Sequence, residues 1–165
     1  MKLFQKWIRV AKAVVWVLTL MLSATVLSAC TSTIAGYSLE AYTLATGLKA
    51  RSLAVVQLST ESFSTHAEVV DQLLVDIDAA YEFAAGIPNN KIAAEQWALL
   101  RDPSEALLGG YFAFWEIEEP GGVSEYFRDQ SKEIIAEAFN LIICLEVNKQ
   151  QASSCSELKT PEGVL

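Results

Sequence analysis

The chain has 165 residues, with 12 basic and 20 acidic side chains, a formal net charge of −8, one histidine and three cysteines. So acidic a chain is a poor partner for nucleic acid or for an anionic lipid surface, because phosphate repels it. The inventory excludes a di-iron bundle, which needs Glu-x-x-His on two helices, and a c-type haem, which needs Cys-x-x-Cys-His. No Gly-rich phosphate loop, Gly-x-Ser-x-Gly or His-Glu-x-x-His occurs.

The N-terminus opens with Lys2, Lys6, Arg9 and Lys12 and no acid, followed by Ala13 to Leu27, whose only polar members are Thr19, Ser23 and Thr25. This is the basic start and apolar run of an export signal. The run falls short of the about 20 apolar residues that a spanning helix needs. It ends Leu27-Ser28-Ala29-Cys30, which resembles the lipobox of bacterial lipoproteins. The resemblance covers this segment alone. It implies cleavage before Cys30 by signal peptidase II and acylation (palmitate included) of the Cys30 thiol and new amino group. Two or three acyl chains, at about 0.8 kcal/mol per buried CH₂, anchor a protein stably. Thr31 rather than Asp in the next position implies, by the same resemblance, the periplasmic face of the outer membrane where the cell has one. An uncleaved signal anchor with an incidental cysteine is the alternative.

Cleavage removes four basic residues and no acid, so residues 30–165 carry eight basic against twenty acidic side chains, a net charge of −12. Both methionines, Met1 and Met21, are lost as well, which removes methionine–histidine haem ligation. The domains expected are a signal peptide over residues 1–29, a lipidated tether over 30–37, a helical domain over 38–148 and a polar tail over 149–165. A flexible tether of roughly seven residues reaches about 15 Å. Cys144 and Cys155 form an isolated pair in an exported chain, which points to a disulfide that returns the tail to the last helix. Two free thiols, with Cys144 a small core residue, is the alternative.

The mature chain reads as all-α, a small helical bundle of four to five helices. The first helix spans about Ser38 to Ser59. Leu44, Leu48, Ser52, Val55 and Val56 recur at three- and four-residue steps, and Ser38 serves as N-cap. Ser64 or Thr65 is expected to cap the second helix, Thr65 making a capping box with Glu68. Val69, Val70, Leu73, Leu74, Ile77, Ala80, Tyr81 and Ala84 form its apolar face. Gly86 followed by Ile87-Pro88 is expected to end it, Gly86 in the position after the last turn. Asn89 or Asn90 caps a third helix, Lys91 to Arg101, with Ile92, Trp97 and Leu100 inward. Asp102-Pro103 reads as a restart that begins a helix from Ser104 to Trp115. Gly109-Gly110 inside that segment costs about 1 kcal/mol per residue against alanine, and is tolerated where another backbone approaches closely or the helix bends. After the acidic Pro120-Gly121-Gly122 loop, Ser124 starts the longest helix, to about Asn148, with Val123 a possible staple. Phe127, Ile134, Ile135, Ala138, Phe139, Ile142 and Leu145 are expected to face its core.

Little of this carries chemistry. His66, with Glu68 as partner and Ser62 or Ser64 as nucleophile, is weighed against a surface histidine at a helix start, and the latter is preferred. Glu116, Glu118 and Glu119 lack the spacing of a calcium loop and read as a solvated acidic turn. No metal, cofactor or catalytic residue is expected. The strongest lead is the aromatic density of Trp97, Tyr111, Phe112, Phe114, Trp115 and Tyr126, joined by Phe127. It reads either as core packing or as a groove that receives a partner, aromatic rings being enriched at interface hot spots.

The function expected is therefore a non-catalytic interaction or envelope-assembly module, bound to the lipid bilayer through Cys30 and meeting an envelope protein. Its architecture is similar to that of small helical lipoproteins acting as secretion pilotins, with no residue carried over. The alternatives are an immunity or exclusion factor against a toxin or phage, and an envelope enzyme or small-ligand binder with a pocket near Trp97 and Trp115.

Overall fold

The computed structural model describes residues 35–118 and 120–149. The expectations for Cys30, Glu119 and Cys155 fall outside them. The described residues form five helices and no strand: α1 (Leu39–Gln57), α2 (Phe63–Gly86), α3 (Lys91–Arg101), α4 (Leu108–Ile117) and α5 (Glu125–Asn148). No described helix is long and apolar enough to cross a membrane.

Helix α1 packs against α5 and α2, α3 packs against α2 and α5, and α4 contacts α2 and α3. Four helices thus surround one core, and α4 covers the end at which α1 finishes and α5 begins. The core runs from Leu48, Val55 and Val56 on α1 through Val70, Leu73 and Ile77 on α2 to Phe139 and Ile142 on α5. Burial of such side chains is worth about 1.5–3 kcal/mol each.

The helix boundaries follow local chemistry. Ser38 caps α1, its Oγ accepting the Ala41 N–H at 3.1 Å. Ser124 caps α5, its Oγ accepting the Phe127 N–H at 3.3 Å. The start of α2 departs from expectation. It begins at Phe63 after Ser62, so Thr65 and Glu68 are already inside the helix and form no capping box. Phe63 packs on the core, and that burial pulls the boundary three residues upstream of the polar signal.

Gly86 is the last helical residue of α2, and the left-handed backbone falls instead on Asn89, at φ 60°. Asn90 precedes α3, but its side chain turns back and donates to the Ala84 carbonyl at 2.9 Å, closing the end of α2. Ile92 is exposed on α3, where Ala93 joins Trp97 and Leu100 in facing inward. The N–H of Ala35 donates to the Asn89 carbonyl at 3.1 Å, and Ala35 is buried. The body therefore starts within the segment that was expected to be tether.

Asp102-Pro103 does not restart a helix. The Asp102 carboxylate accepts from both the N–H and the Oγ of Ser104, at 2.8 and 2.7 Å, and holds a turn. Those hydrogen bonds keep its carboxyl below the usual range. Helix α4 starts only at Leu108, because both glycines lie against the chain that precedes them. A Cβ on Gly109 would overlap the Arg101 carbonyl, and one on Gly110 the Glu105 carbonyl. This is the close backbone approach that tolerates glycine in a helix.

At the far end of α5, Lys149 belongs to the body rather than to a tail. Its Nζ pairs with Glu146 at 2.7 Å, both side chains 2% exposed, and also donates to Asn90 Oδ1 at 2.5 Å. Cys144 is half of a disulfide. No other cysteine is among the described residues, so its pairing with Cys155 remains a proposal.

Candidate interaction surface

Helix α4 brings the aromatic residues together and sorts them into two sets. Tyr111, Phe112 and Trp115 lie one turn or less apart on its inner face and are buried. The Trp115 indole N–H donates to the Glu61 carbonyl at 2.9 Å, which ties α4 to the α1–α2 turn. Its ring meets Phe63 edge-on, centroids 5.3 Å apart at 87°, and lies 5.8 Å from the His66 ring. The Tyr111 hydroxyl hydrogen-bonds to the buried Ser59 Oγ, which also donates to the Val56 carbonyl at 2.8 Å. Burial pushes the Tyr111 phenol above its usual range, and the Ser59 hydrogen bond offsets part of that rise. Trp97 is buried on α3, edge-on to Phe139 at 5.9 Å.

This corrects part of the expected contact set. Trp97, Tyr111, Phe112 and Trp115 are core residues, because a four-helix body of this size needs their volume at the α4 end. They cannot offer a surface to a partner in this conformation. Trp97 and Trp115 line none of the three described clefts. Both rings are buried, Trp97 at 3% and Trp115 at 0% exposed.

The outer set is different. Phe114 and Phe127 are each 39% exposed, Ile134 53%, Ile117 77% and Tyr126 78%. Phe114 and Phe127 touch, centroids 4.8 Å apart, and Phe127 stacks on Tyr111 at 5.8 Å and 11°. These contacts make the outer rings continuous with the core. Phe114, Phe127 and Ile134 share a cleft of about 360 Å³ with Pro103 and Leu107. Ile134 and Phe127 were expected in the core. The apolar residues of α5 span a wider arc than the core can cover, and these two fall on its outer edge.

No protein family, curated protein or solved structure matches the chain. The surface is thus defined by its own chemistry.

Charge around it is one-sided. Glu105, Glu118, Glu133 and Glu137 are exposed nearby. The two cations on this part of α5 are engaged elsewhere. Arg128 pairs with Asp129 at 2.8 Å, and Lys132 donates to Gln57 on α1 at 2.6 Å.

The remaining candidates are placed as follows. His66 pairs with Glu61 at 2.8 Å rather than with Glu68, since Glu61 lies in the turn that Trp115 holds. Ser62 and Ser64 hydroxyls are 3.0 Å apart. Among the described residues, no three His, Cys, Asp or Glu side chains group so as to hold a metal ion. A second cleft of about 840 Å³, which sequence reasoning missed, runs between α1 and α2 past Leu39, Leu44, Gly47 and Leu48 to the Arg51–Asp76 ion pair.

Proposed function

We propose that the protein is a lipid-anchored, non-catalytic interaction module of the bacterial envelope, facing the periplasm from the outer membrane where there is one. The anchor is acylated Cys30, supported by the basic, apolar and small-residue order of residues 1–30. The working surface is the outer α4–α5 face. The observation that carries this reading is the exposed cluster of Phe114, Phe127 and Ile134, continued by Ile117 and Tyr126. Aromatic and aliphatic side chains of this density on an otherwise acidic surface mark a contact site for another protein.

Two experiments test the parts separately. Cys30→Ala should abolish acylated, membrane-fractionating protein; normal processing and localisation of that variant would remove the lipobox reading. For the surface, a photo-crosslinker at Phe114 or Tyr126 in living cells should capture one recurrent envelope protein. Crosslinks confined to the chain itself would remove the interaction reading.

A further inference from the structure

The outer face of α5 carries a pattern that specifies the kind of partner, and this inference rests on the interaction reading just given. Phe127, Ile134 and Leu141 lie seven residues apart and are all exposed, and Ser131 and Ala138 stand between them, with Leu145 next, at alternating steps of four and three. Three- and four-residue alternation is the seam with which one α-helix packs along another. From Phe127 to Leu141 it runs about 21 Å at 1.5 Å per residue.

The seam is not the core face. That face is formed by Ile135, Phe139 and Ile142, each fully buried and about 80–140° around the helix from Ile134. α5 thus presents two adjacent apolar stripes, and the bundle covers the first fully and the second only in part. The second is wide enough for one more helix, and the side chains along its solvent flank select that helix.

That flank is Tyr126, Gln130, Glu133 and Glu137, with no cation among them. Arg128 and Lys132 lie on the opposite side of α5, held by Asp129 and Gln57. Lys49, near the lower end, donates to Asn140 Oδ1 at 2.5 Å. Glu105 adds a carboxylate beside the upper end of the seam, next to the cleft of Pro103 and Leu107.

We propose that the Phe127–Ile134–Leu141 seam of α5 binds an amphipathic helix that is basic along its edges. The apolar 3–4 repeat supplies the contact and the Glu133–Glu137 flank sets the sign of charge. Other occupants fit less well. A second copy would set two bodies of net charge −12 seam to seam. Residues 150–165 hold Leu158, Val164 and Leu165 without the 3–4 spacing, and carry two acids against one lysine.

The test uses the mature acylated protein in detergent and three synthetic probes. These are an ~18-residue Leu/Lys peptide with leucines in 3–4 spacing, its Leu/Glu counterpart, and a Leu/Lys scramble without the spacing. Binding is read by anisotropy of the labelled peptide. The patterned Leu/Lys peptide should bind, and the Leu/Glu and scrambled peptides should bind at least about tenfold more weakly. Ile134→Asp with Leu141→Asp should cost about tenfold or more, whereas Val75→Asp on the exposed face of α2 should cost nothing. Glu133→Gln with Glu137→Gln leaves every apolar contact in place. It should weaken the patterned peptide and flatten its salt dependence. Equal binding of the scramble, or unchanged binding by the Ile134→Asp/Leu141→Asp protein, would mean mere attraction of cations to an acid and would overturn the proposal. A crosslinker at Ile134 in cells separates the two levels. Capture of an envelope protein through a segment that is not a basic helix ends this inference and keeps the interaction reading. Capture only of residues 150–165 or of a second copy ends both.

Discussion

Replacing Gly109 by alanine sets two physical effects against each other, and the structure decides the sign. Inside a helix, Gly→Ala normally stabilises by about 1 kcal/mol, through helix propensity and a less flexible unfolded chain. At Gly109 the new methyl would overlap the carbonyl group of Arg101 and lie 2.9 Å from the Asp102 carbonyl carbon. Both obstacles are backbone, held by the Asp102–Ser104 turn, so they cannot swing aside as a side-chain tip would. Overpacking a rigid site costs about 1–3 kcal/mol and occasionally more. Taking the upper value against the propensity gain leaves a net loss of about 2 kcal/mol. For a domain of this size that lowers the Tm by about 6–12 °C. Gly47 is the internal control: it lies in α1 with nothing within 4 Å of a built Cβ. Gly47→Ala should therefore gain about 1 kcal/mol. The assay is urea and thermal unfolding of residues 31–165, followed by fluorescence of Trp97 and Trp115, the two tryptophans outside the signal and both buried. A Gly109→Ala protein as stable as the parent would refute the close approach of α4 to the Arg101–Asp102 backbone.

Ser52 is fully buried on α1 and its Oγ has no hydrogen-bond partner. Ser52→Ala should raise stability by about 1 kcal/mol in the same unfolding assay, and a loss would mean the hydroxyl is satisfied. Tyr111 gives a pH test. Its phenol pKa is raised by burial, so the folded state holds the proton more tightly than the unfolded chain, and this contribution is whole below the ordinary value of 10.0. It is lost as pH rises through the folded pKa. Unfolding at pH 8 and at about pH 11 should show a larger alkaline loss in the parent than in Tyr111→Phe; equal losses would refute it. Removing the hydroxyl should also cost about 1 kcal/mol at pH 8, where it bonds to Ser59. Mass mapping without reductant should place Cys144 and Cys155 in one linked peptide, and reduction should cost about 3 kcal/mol. A Cys144–Cys30 link or two alkylatable thiols would refute that pairing.

The helices were legible where apolar spacing and a polar cap agree, as at Ser38 and Ser124; α3 kept its expected bounds although Asn90 does not cap it and Ile92 faces out. Where a cap signal competed with burial, burial prevailed: Phe63 draws α2 upstream of Thr65. The restart at Asp102-Pro103 misled because an Asp–Ser turn and a helix N-cap use the same side-chain acceptor. Only the contact of Gly109 and Gly110 with residues 101–105 separates the two, and that contact is tertiary. The aromatic lead contained both halves of its answer, core and surface, since composition does not say which side of α4 a ring occupies. Ile134 was misread for a similar reason. Two apolar stripes on one helix blur into a single broad face until its neighbours are in place. The seven-residue recurrence of Phe127, Ile134 and Leu141 was the signal that could have resolved them.

The hydrogen bond from Ala35 to the Asn89 carbonyl has a consequence for how such a protein stands. If Cys30 is acylated, four residues lie between it and the first clamped residue, Ala35, a span of at most about 17 Å. Such a leash limits how far the body can stray from its point of attachment. The acidic body would meanwhile be repelled by anionic headgroups. A clamp of one hydrogen bond would thereby shorten the tether that residues 30–37 were expected to form.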